Sequence, residues 1–276
     1  MEEGKKLRLL CIPPSATSAM MYLKWQEHFP ENIEIVPIEL PGKGTKFREK
    51  MADSIDEMTD RIIDEIKEKA GNENYALFGF CSGSVIAFDL MQKLMKQGFR
   101  EPEYFIAASS RDPADQISTP SALDISDESL KKMFMNIFQF KVDADNNKNM
   151  CEFIGLLHPE STKELENMND DEFLKAIDED TEEGRKAVAA LRRSLEVFRK
   201  DSAMLHSYIV PKDIRKFNMP VTMIHGKYDA LVKRSEVNKW KNYCNNSFDV
   251  KMINGGHLAV FDNYEGAIEA IKETIL

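Results

Sequence analysis

The fold of this chain is decided by residues 75–84, which read YALFGFCSGS. An apolar strand runs into the pattern G-x-C-x-G, and an amphipathic helix is predicted directly after it. This order is typical of a nucleophile elbow, a sharp turn that raises its middle residue above the edge of a sheet. Glycines are expected at 79 and 83, because the turn brings the strand and the helix too close together for larger side chains. The raised residue is Cys81, where such a turn more commonly has serine.

Apolar runs alternate with amphipathic segments on both sides of this turn. Strands are predicted over residues 7–13, 33–40, 75–80, 104–109, 221–225 and 248–253, and helices over 19–28, 55–69, 85–97, 233–243 and 264–276. The alternation favours an α/β fold, a mostly parallel sheet with helices on both faces. Residues 120–200 are charged and lack a convincing strand, so we expect a helical lid inserted into one sheet. The whole chain, 1–276, is predicted to be a single domain.

Composition excludes several classes of protein. Hydrophobic residues make up 42% of the 276 residues and charged residues 30%, which is typical of a folded domain rather than a disordered chain. The 37 basic and 47 acidic residues give a net charge of −10, which argues against nucleic acid or an anionic membrane as a partner. No apolar run is long enough to cross a bilayer, and the start does not resemble an export signal.

The four cysteines, Cys11, Cys81, Cys151 and Cys244, are widely spaced. None stands in a CxxC pair or in a Cys/His cluster with metal-ligand spacing. The sequence therefore predicts a cytoplasmic protein that carries no metal.

Cys81 is the candidate nucleophile. The alternative hydroxyl of Ser82 is less well placed, because the glycines bracket Cys81 and put Ser82 in the first turn of the helix. There its backbone N–H can serve as one donor of an oxyanion hole. The other interpretation of Cys81 is a small buried residue with no chemical role, the commonest fate of a free cysteine.

A base and a group to orient it are expected later in the chain. His257 follows a strand in the loop Asn254-Gly255-Gly256-His257, and Asp229 follows the preceding strand. Their order after Cys81 is that of an α/β-hydrolase triad, although an aspartate in a loop is often only a turn former. The remaining histidines are expected to be structural: His28, His158, His206 and His225.

The second oxyanion donor should come from the loop after the first strand. Pro13 and Pro14 have no backbone N–H, so Ser15 is the first residue there able to donate one. A simple turn explains this loop equally well.

These segments resemble the external, type II thioesterases that accompany nonribosomal peptide and polyketide synthases, a branch of the α/β-hydrolases. Residues 9–14, LLCIPP, are similar to that family's opening strand and F-P-x-A-G-G loop, and 39–44, ELPGKG, to its L-P-G-x-G turn. Residues 78–83, FGFCSG, are similar to its F-G-H-S-M-G elbow, and SSRDP at 109–113 to its S-x-R-x-P stretch. The Gly255-Gly256-His257 segment resembles its G-G-H loop.

The resemblance implies hydrolysis of acyl or peptidyl groups from the phosphopantetheine thiol of a carrier protein. Cys81 would be the nucleophile, His257 the base and Asp229 its orienting acid, with the backbone N–H groups of Ser15 and Ser82 as the oxyanion hole. The implied partner is the loaded carrier protein, and no cofactor is implied. Lys43, Lys46 and Arg48 are either part of a docking patch or ordinary solvated charges.

The chain departs from the family pattern in several places. Ser15-Ala16-Thr17 replaces Ala-Gly-Gly, Phe80 replaces a common histidine, and the insertion is longer. Cysteine in place of serine has a chemical consequence, because an acyl group on Cys81 stays activated as a thioester. A Cys-dependent acyltransferase or cyclase is therefore the alternative function; a general small-ester hydrolase and a non-catalytic binding protein are further interpretations.

Overall fold

The computed structural model describes residues 6–118 and 196–276, and within them six strands form one sheet. The strands are β1 (Leu7–Ile12), β2 (Ile33–Pro37), β3 (Asn74–Phe80), β4 (Tyr104–Ala108), β5 (Val221–Gly226) and β6 (Phe248–Ile253). Their order is β2-β1-β3-β4-β5-β6, and every neighbouring pair is parallel. The predicted α/β fold with a parallel sheet is confirmed.

The order of the strands reverses between β1 and β3. The chain runs outward from β1 to β2 and then returns to the other side of β1 to begin β3. In open α/β sheets such a switch point leaves a crevice outside the carboxyl ends of the two strands, and ligands bind there. The loop after β1 and the turn after β3 both lie at this point.

Helices cover both faces of the sheet. They are α1 (Ile55–Ala70), α2 (Ser82–Lys96), α3, whose described part is 196–206, α4 (Arg234–Val237), α5 (Ala259–Asp262) and α6 (Tyr264–Ile275). Buried side chains of α1 and α2 belong to one apolar cluster, and those of α6 belong to a second cluster on the opposite face. The sequence predicts α1, α2 and α6 because apolar residues recur at helical spacing in each of them.

Two of the predicted helices are wholly or partly of the 3₁₀ type. The helix Ala19–His28 is 3₁₀ throughout, and in the predicted helix 233–243 the single turn of α4 is followed by the 3₁₀-helix Asn238–Tyr243. Two shorter 3₁₀ segments are Gly44–Lys46 and Pro113–Ser118. In the helix Ala19–His28, the buried residues are Ala19, Tyr22 and Trp25, three positions apart. A 3₁₀-helix has three residues per turn, so this spacing keeps all three on the buried side.

The predicted lid over residues 120–200 falls almost entirely outside the described residues, and it stays a prediction, as does the single domain over 1–276. Cys151 and His158 also lie outside them. Among residues 6–118 and 196–276, none of the helices has the length and apolarity needed to span a bilayer.

Candidate active site

Cys81 occupies the turn between β3 and α2 in a strained conformation. Its φ of 52° and ψ of −117° lie in a region that residues other than glycine rarely adopt. The flanking glycines allow the turn, because a Cβ at Gly79 would lie 2.5 Å from the carbonyl oxygen of Gly83. A Cβ at Gly83 would in turn lie 2.5 Å from the carbonyl oxygen of Ile12. The sequence thus builds the predicted elbow, with the sulfur half-buried at the switch point.

The structure brings Cys81, His257 and Asp229 together. Nε2 of His257 lies 3.4 Å from the sulfur of Cys81, and Nδ1 lies 2.9 Å from Oδ2 of Asp229. The other oxygen of Asp229 accepts hydrogen bonds from the backbone N–H groups of Leu231 and Val232, at 2.8 and 2.9 Å. Because both oxygens are engaged, the carboxylate is fixed and the imidazole is held with one nitrogen facing the sulfur. The ring of Phe80 lies 6.5 Å from that of His257.

Glycines also bring the two loops that carry His257 and Asp229 close together. A Cβ at Gly226, at the end of β5, would lie 2.1 Å from the carbonyl oxygen of Gly256. Gly255 has a φ of 128°, a conformation that other residues rarely adopt. The loop after β6 can therefore pass directly over the end of β5, which places the imidazole beside the carboxylate.

Neighbouring charges and hydrogen bonds shift the pKa values of His257 and Asp229. Burial by itself lowers the pKa of His257, but the negative charge of Cys81 and the hydrogen bonds to Asp229 and Cys81 raise it to about 10. Burial raises the pKa of Asp229, yet the hydrogen bond and charge of His257 outweigh it, so that the pKa lies below its ordinary value. His257 therefore holds its proton more tightly than an ordinary imidazole, with one ring nitrogen facing the sulfur of Cys81 and the other the carboxylate of Asp229.

A second histidine lies against the same carboxylate. Nδ1 of His225 is 3.6 Å from Oδ2 of Asp229, and the residue is 2% exposed. Burial lowers the pKa of His225, more than the nearby charge of Asp229 raises it. The sequence predicts a structural role for His225; its position near the end of β5, four residues before Asp229, is the signal in the sequence for this proximity. The other described histidines lie elsewhere in the chain, with His28 against the ring of Tyr264 and His206 in α3.

The loop after β1 contacts the N-terminus of α2. The hydroxyl of Ser15 donates a hydrogen bond to the hydroxyl of Ser82 at 2.9 Å. Ser82 is the first residue of α2, so its backbone N–H has no acceptor within the helix. The backbone N–H of Ala16 is already engaged, since it donates to Asp201 in α3 at 2.7 Å. The two residues predicted to supply oxyanion donors are therefore neighbours at the elbow.

No signal in the sequence pointed to Asp201 or to its pairing with Lys43. Nζ of Lys43 lies 2.6 Å from Oδ2 of Asp201, with 1% and 2% of the two side chains exposed. This corrects both expectations for Lys43, because a buried ammonium is neither solvated nor free to dock a partner. By contrast, Lys46 is half-buried against Glu65 at 2.5 Å, and Arg48 is exposed. Within the described parts of the chain, His, Cys, Asp and Glu side chains form no group suited to a metal ion.

Comparison with known proteins shows similarity to thioesterases over nearly the whole chain. A family model described as "Thioesterase domain" matches residues 7–275. Gramicidin S biosynthesis protein GrsT of Aneurinibacillus migulanus is 22% identical over 98% of this chain and 89% of its own length. Thioesterase PikA5 of Streptomyces venezuelae is 20% identical over 98% of this chain and 81% of its own.

Solved structures give the same fold. RedJ, the thioesterase from the prodiginine biosynthetic pathway in Streptomyces coelicolor, has a TM-score of 0.75 at 21% identity, covering 97% of this chain and 90% of that one. ClbQ from the colibactin NRPS/PKS pathway has a TM-score of 0.74 at 19% identity, covering 98% and 97%. These matches show the α/β-hydrolase fold.

Proposed function

The chain belongs to the thioesterase domain family, and from that premise we propose that it hydrolyses acyl or peptidyl thioesters on the phosphopantetheine arm of a carrier protein. The pathway would be nonribosomal peptide or polyketide biosynthesis, as the names of its relatives suggest. The observation that carries the proposal is the contact of His257 with the sulfur of Cys81 at 3.4 Å and with Asp229 at 2.9 Å. A nucleophile, a base and an orienting acid in this geometry suit acyl transfer through a covalent intermediate.

The first half of the reaction transfers the acyl group to the protein. The thiolate of Cys81 attacks the carbonyl carbon, and the resulting oxyanion accepts hydrogen bonds from the backbone N–H groups of Ser15 and Ser82. When the tetrahedral intermediate collapses, the C–S bond to phosphopantetheine breaks. The departing thiolate takes the proton from the imidazolium of His257 and leaves as a thiol, so that the acyl group remains on Cys81.

The second half releases the acid. Neutral His257 takes a proton from water as the water oxygen attacks the acyl carbon. The same two backbone donors receive the second oxyanion. Collapse breaks the bond to Cys81 and restores the thiolate beside the imidazolium, which Asp229 stabilises. The balance is one thioester and one water converted to one carboxylic acid and one thiol.

The direct test is incubation with an acyl-loaded carrier protein, followed by mass spectrometry of the protein. We expect free acid in solution and, at short times, an acyl group on Cys81. Cys81→Ala should abolish both, whereas Cys244→Ala is the matched control because Cys244 is also half-buried. Labelling of another cysteine, or unchanged turnover in Cys81→Ala, would refute the assignment, and the second result would favour a non-catalytic binding protein.

Acyl transfer or cyclisation is the second candidate, and the presence of cysteine in the elbow favours it. Exchange of one thioester for another leaves the acyl group activated, so that an amine or an internal nucleophile can compete with water. Adding an amine to the same assay separates the two functions, because transfer gives an amide or a ring in place of free acid. Cys81→Ser should shift the products toward hydrolysis, since an oxygen ester is less reactive toward amines.

Docking of the carrier is expected to depend on local contacts. Carrier proteins are usually acidic, and this chain has a net charge of −10, so long-range charge opposes the encounter. Salt screens that repulsion, and we therefore expect turnover not to fall as salt rises. Faster turnover of simple oxygen esters than of the loaded carrier would instead favour a general esterase.

A further inference from the structure

The loop over residues 13–18, here called the oxyanion loop, is held by two buried carboxylates from distant parts of the chain. On one side, Asp201 accepts the backbone N–H of Ala16 at 2.7 Å and is 1% exposed. On the other, Glu39 accepts the hydroxyl of Ser18 at 2.5 Å and the backbone N–H of Ala19 at 3.2 Å. The loop is therefore fixed at its centre and at its end.

The contact with Asp201 is made where the backbone is strained. Ala16 has a φ of 54°, in the left-handed region that residues other than glycine avoid. Hydrogen bonds to an ionised carboxylate are stronger than neutral ones. The bond to Asp201 therefore helps to keep Ala16 in a conformation that it would not adopt by itself.

Lys43 supplies a countercharge for Asp201 in the interior. A buried carboxylate with no countercharge is costly, and Nζ of Lys43 lies 2.6 Å from it. Three segments thus meet at one carboxylate: the oxyanion loop, the turn after β2 and helix α3. The polar contacts of Asp201 are with Ala16 and Lys43 and not with Cys81 or His257, so Asp201 is not a member of the triad.

The contact between Asp201 and Ala16 affects the orientation of the preceding residue, Ser15. Its hydroxyl is bound to Ser82 at 2.9 Å, and the next peptide N–H, that of Ala16, is bound to Asp201. These two hydrogen bonds hold the Ser15 side chain and the peptide that follows it, and so limit the directions open to the Ser15 N–H. We propose that Asp201 is a positioning residue, which aims the Ser15 N–H at the oxyanion; the proposal rests on the function proposed above.

The test compares variants that differ only in the acceptor for Ala16. In a Lys43→Met background, Asp201→Asn keeps an acceptor oxygen, whereas Asp201→Leu has the same branching and number of heavy atoms without one. Replacing both members of a buried ion pair by uncharged groups is often tolerated. Asp201→Ala is a second variant without an acceptor, to be used if the leucine does not fold.

The readout is the rate of Cys81 acylation by an acyl-pantetheine thioester, divided by the rate of its alkylation by iodoacetamide. Alkylation at carbon passes through no oxyanion, so it reports the state of the thiolate and the integrity of the fold. Loss of one oxyanion donor typically costs about 10²–10³-fold. For a misdirected donor we expect the ratio to fall about 10–100-fold in the leucine variant, and the asparagine variant to restore it to within about threefold of wild type.

Asp89→Asn provides the matched control. Asp89 is another buried carboxylate, 4% exposed, which accepts hydrogen bonds from Thr59 and Tyr208 away from the oxyanion loop. It should lower stability without changing the ratio. Equal ratios for Asp201→Asn and Asp201→Leu, or an equal fall in Asp89→Asn, would overturn the role of Asp201. If wild-type Cys81 is alkylated but never acylated, the proposed function itself fails and this inference falls with it.

Discussion

Replacing Cys81 by alanine should release the proton that His257 holds. Burial lowers the pKa of His257, and the charge of Cys81 together with the two hydrogen bonds raises it to about 10. With the sulfur removed, the burial effect and the contact with Asp229 remain. The pKa should therefore move down toward its ordinary value of 6.5, and the imidazole should be mostly neutral in mildly alkaline solution.

The size of the effect follows from the distance between the two charges. At 3.4 Å, a thiolate and an imidazolium attract by about 5 kcal/mol with the effective dielectric constant of about 20 that suits partly buried sites. That energy corresponds to roughly a 10³–10⁴-fold change in the affinity of the imidazole for its proton. If the pair were solvated as in bulk water, the attraction would be about 1 kcal/mol and the change less than about tenfold.

The measurement is an NMR titration of the imidazole nitrogens, with the resonance of His257 assigned from a His257→Gln variant. Cys81→Ser should behave like Cys81→Ala, because a serine hydroxyl is neutral over the same pH range. Cys244→Ala removes a different half-buried thiol and should leave the titration unchanged. A fall of less than about tenfold in proton affinity, or an equal fall in Cys244→Ala, would refute the thiolate–imidazolium pair.

Three further changes test other contacts. Asp229→Asn removes the charge that stabilises the imidazolium and should slow the acylation of Cys81 by a thioester roughly 10²-fold or more in stopped-flow assays. A wild-type rate would mean that the carboxylate stabilises only the conformation of its own loop. Gly83→Ala would place a Cβ 2.5 Å from the carbonyl oxygen of Ile12. We expect urea denaturation to show that the free energy of unfolding falls by about 1–3 kcal/mol. An unchanged denaturation midpoint would contradict this close packing. Lys43→Met alone leaves a buried carboxylate unpaired and should lower the free energy of unfolding by about 3–5 kcal/mol. The control Lys50→Met, at an exposed ion pair, should barely move the denaturation midpoint. Equal effects of the two substitutions would contradict the burial of Lys43.

The sequence indicated most of the sheet and its site because those features depend on local patterns. Each strand is an apolar run next to a turn, and parallel strands carry the loops after them to one edge of the sheet. Chain order then sufficed to choose Cys81, Asp229 and His257 as candidates. The local pattern left the type of one helix open, because apolar residues three positions apart in 19–28 fit both an α-helix and a 3₁₀-helix.

The sequence by itself thus determined the α/β architecture, the elbow and the order of the candidate triad, since each strand, turn and loop that carries them is recognisable from a short local pattern. Only the tertiary structure decided which charges are buried and what they bind. Lys43 stands in a polar turn and Asp201 in a charged helix, and neither local pattern distinguishes them from solvated residues. Their pairing, and the bond of Asp201 to Ala16, 185 positions away, arises because the folded sheet brings the loop after β1, the turn after β2 and α3 to the same edge, where water is excluded.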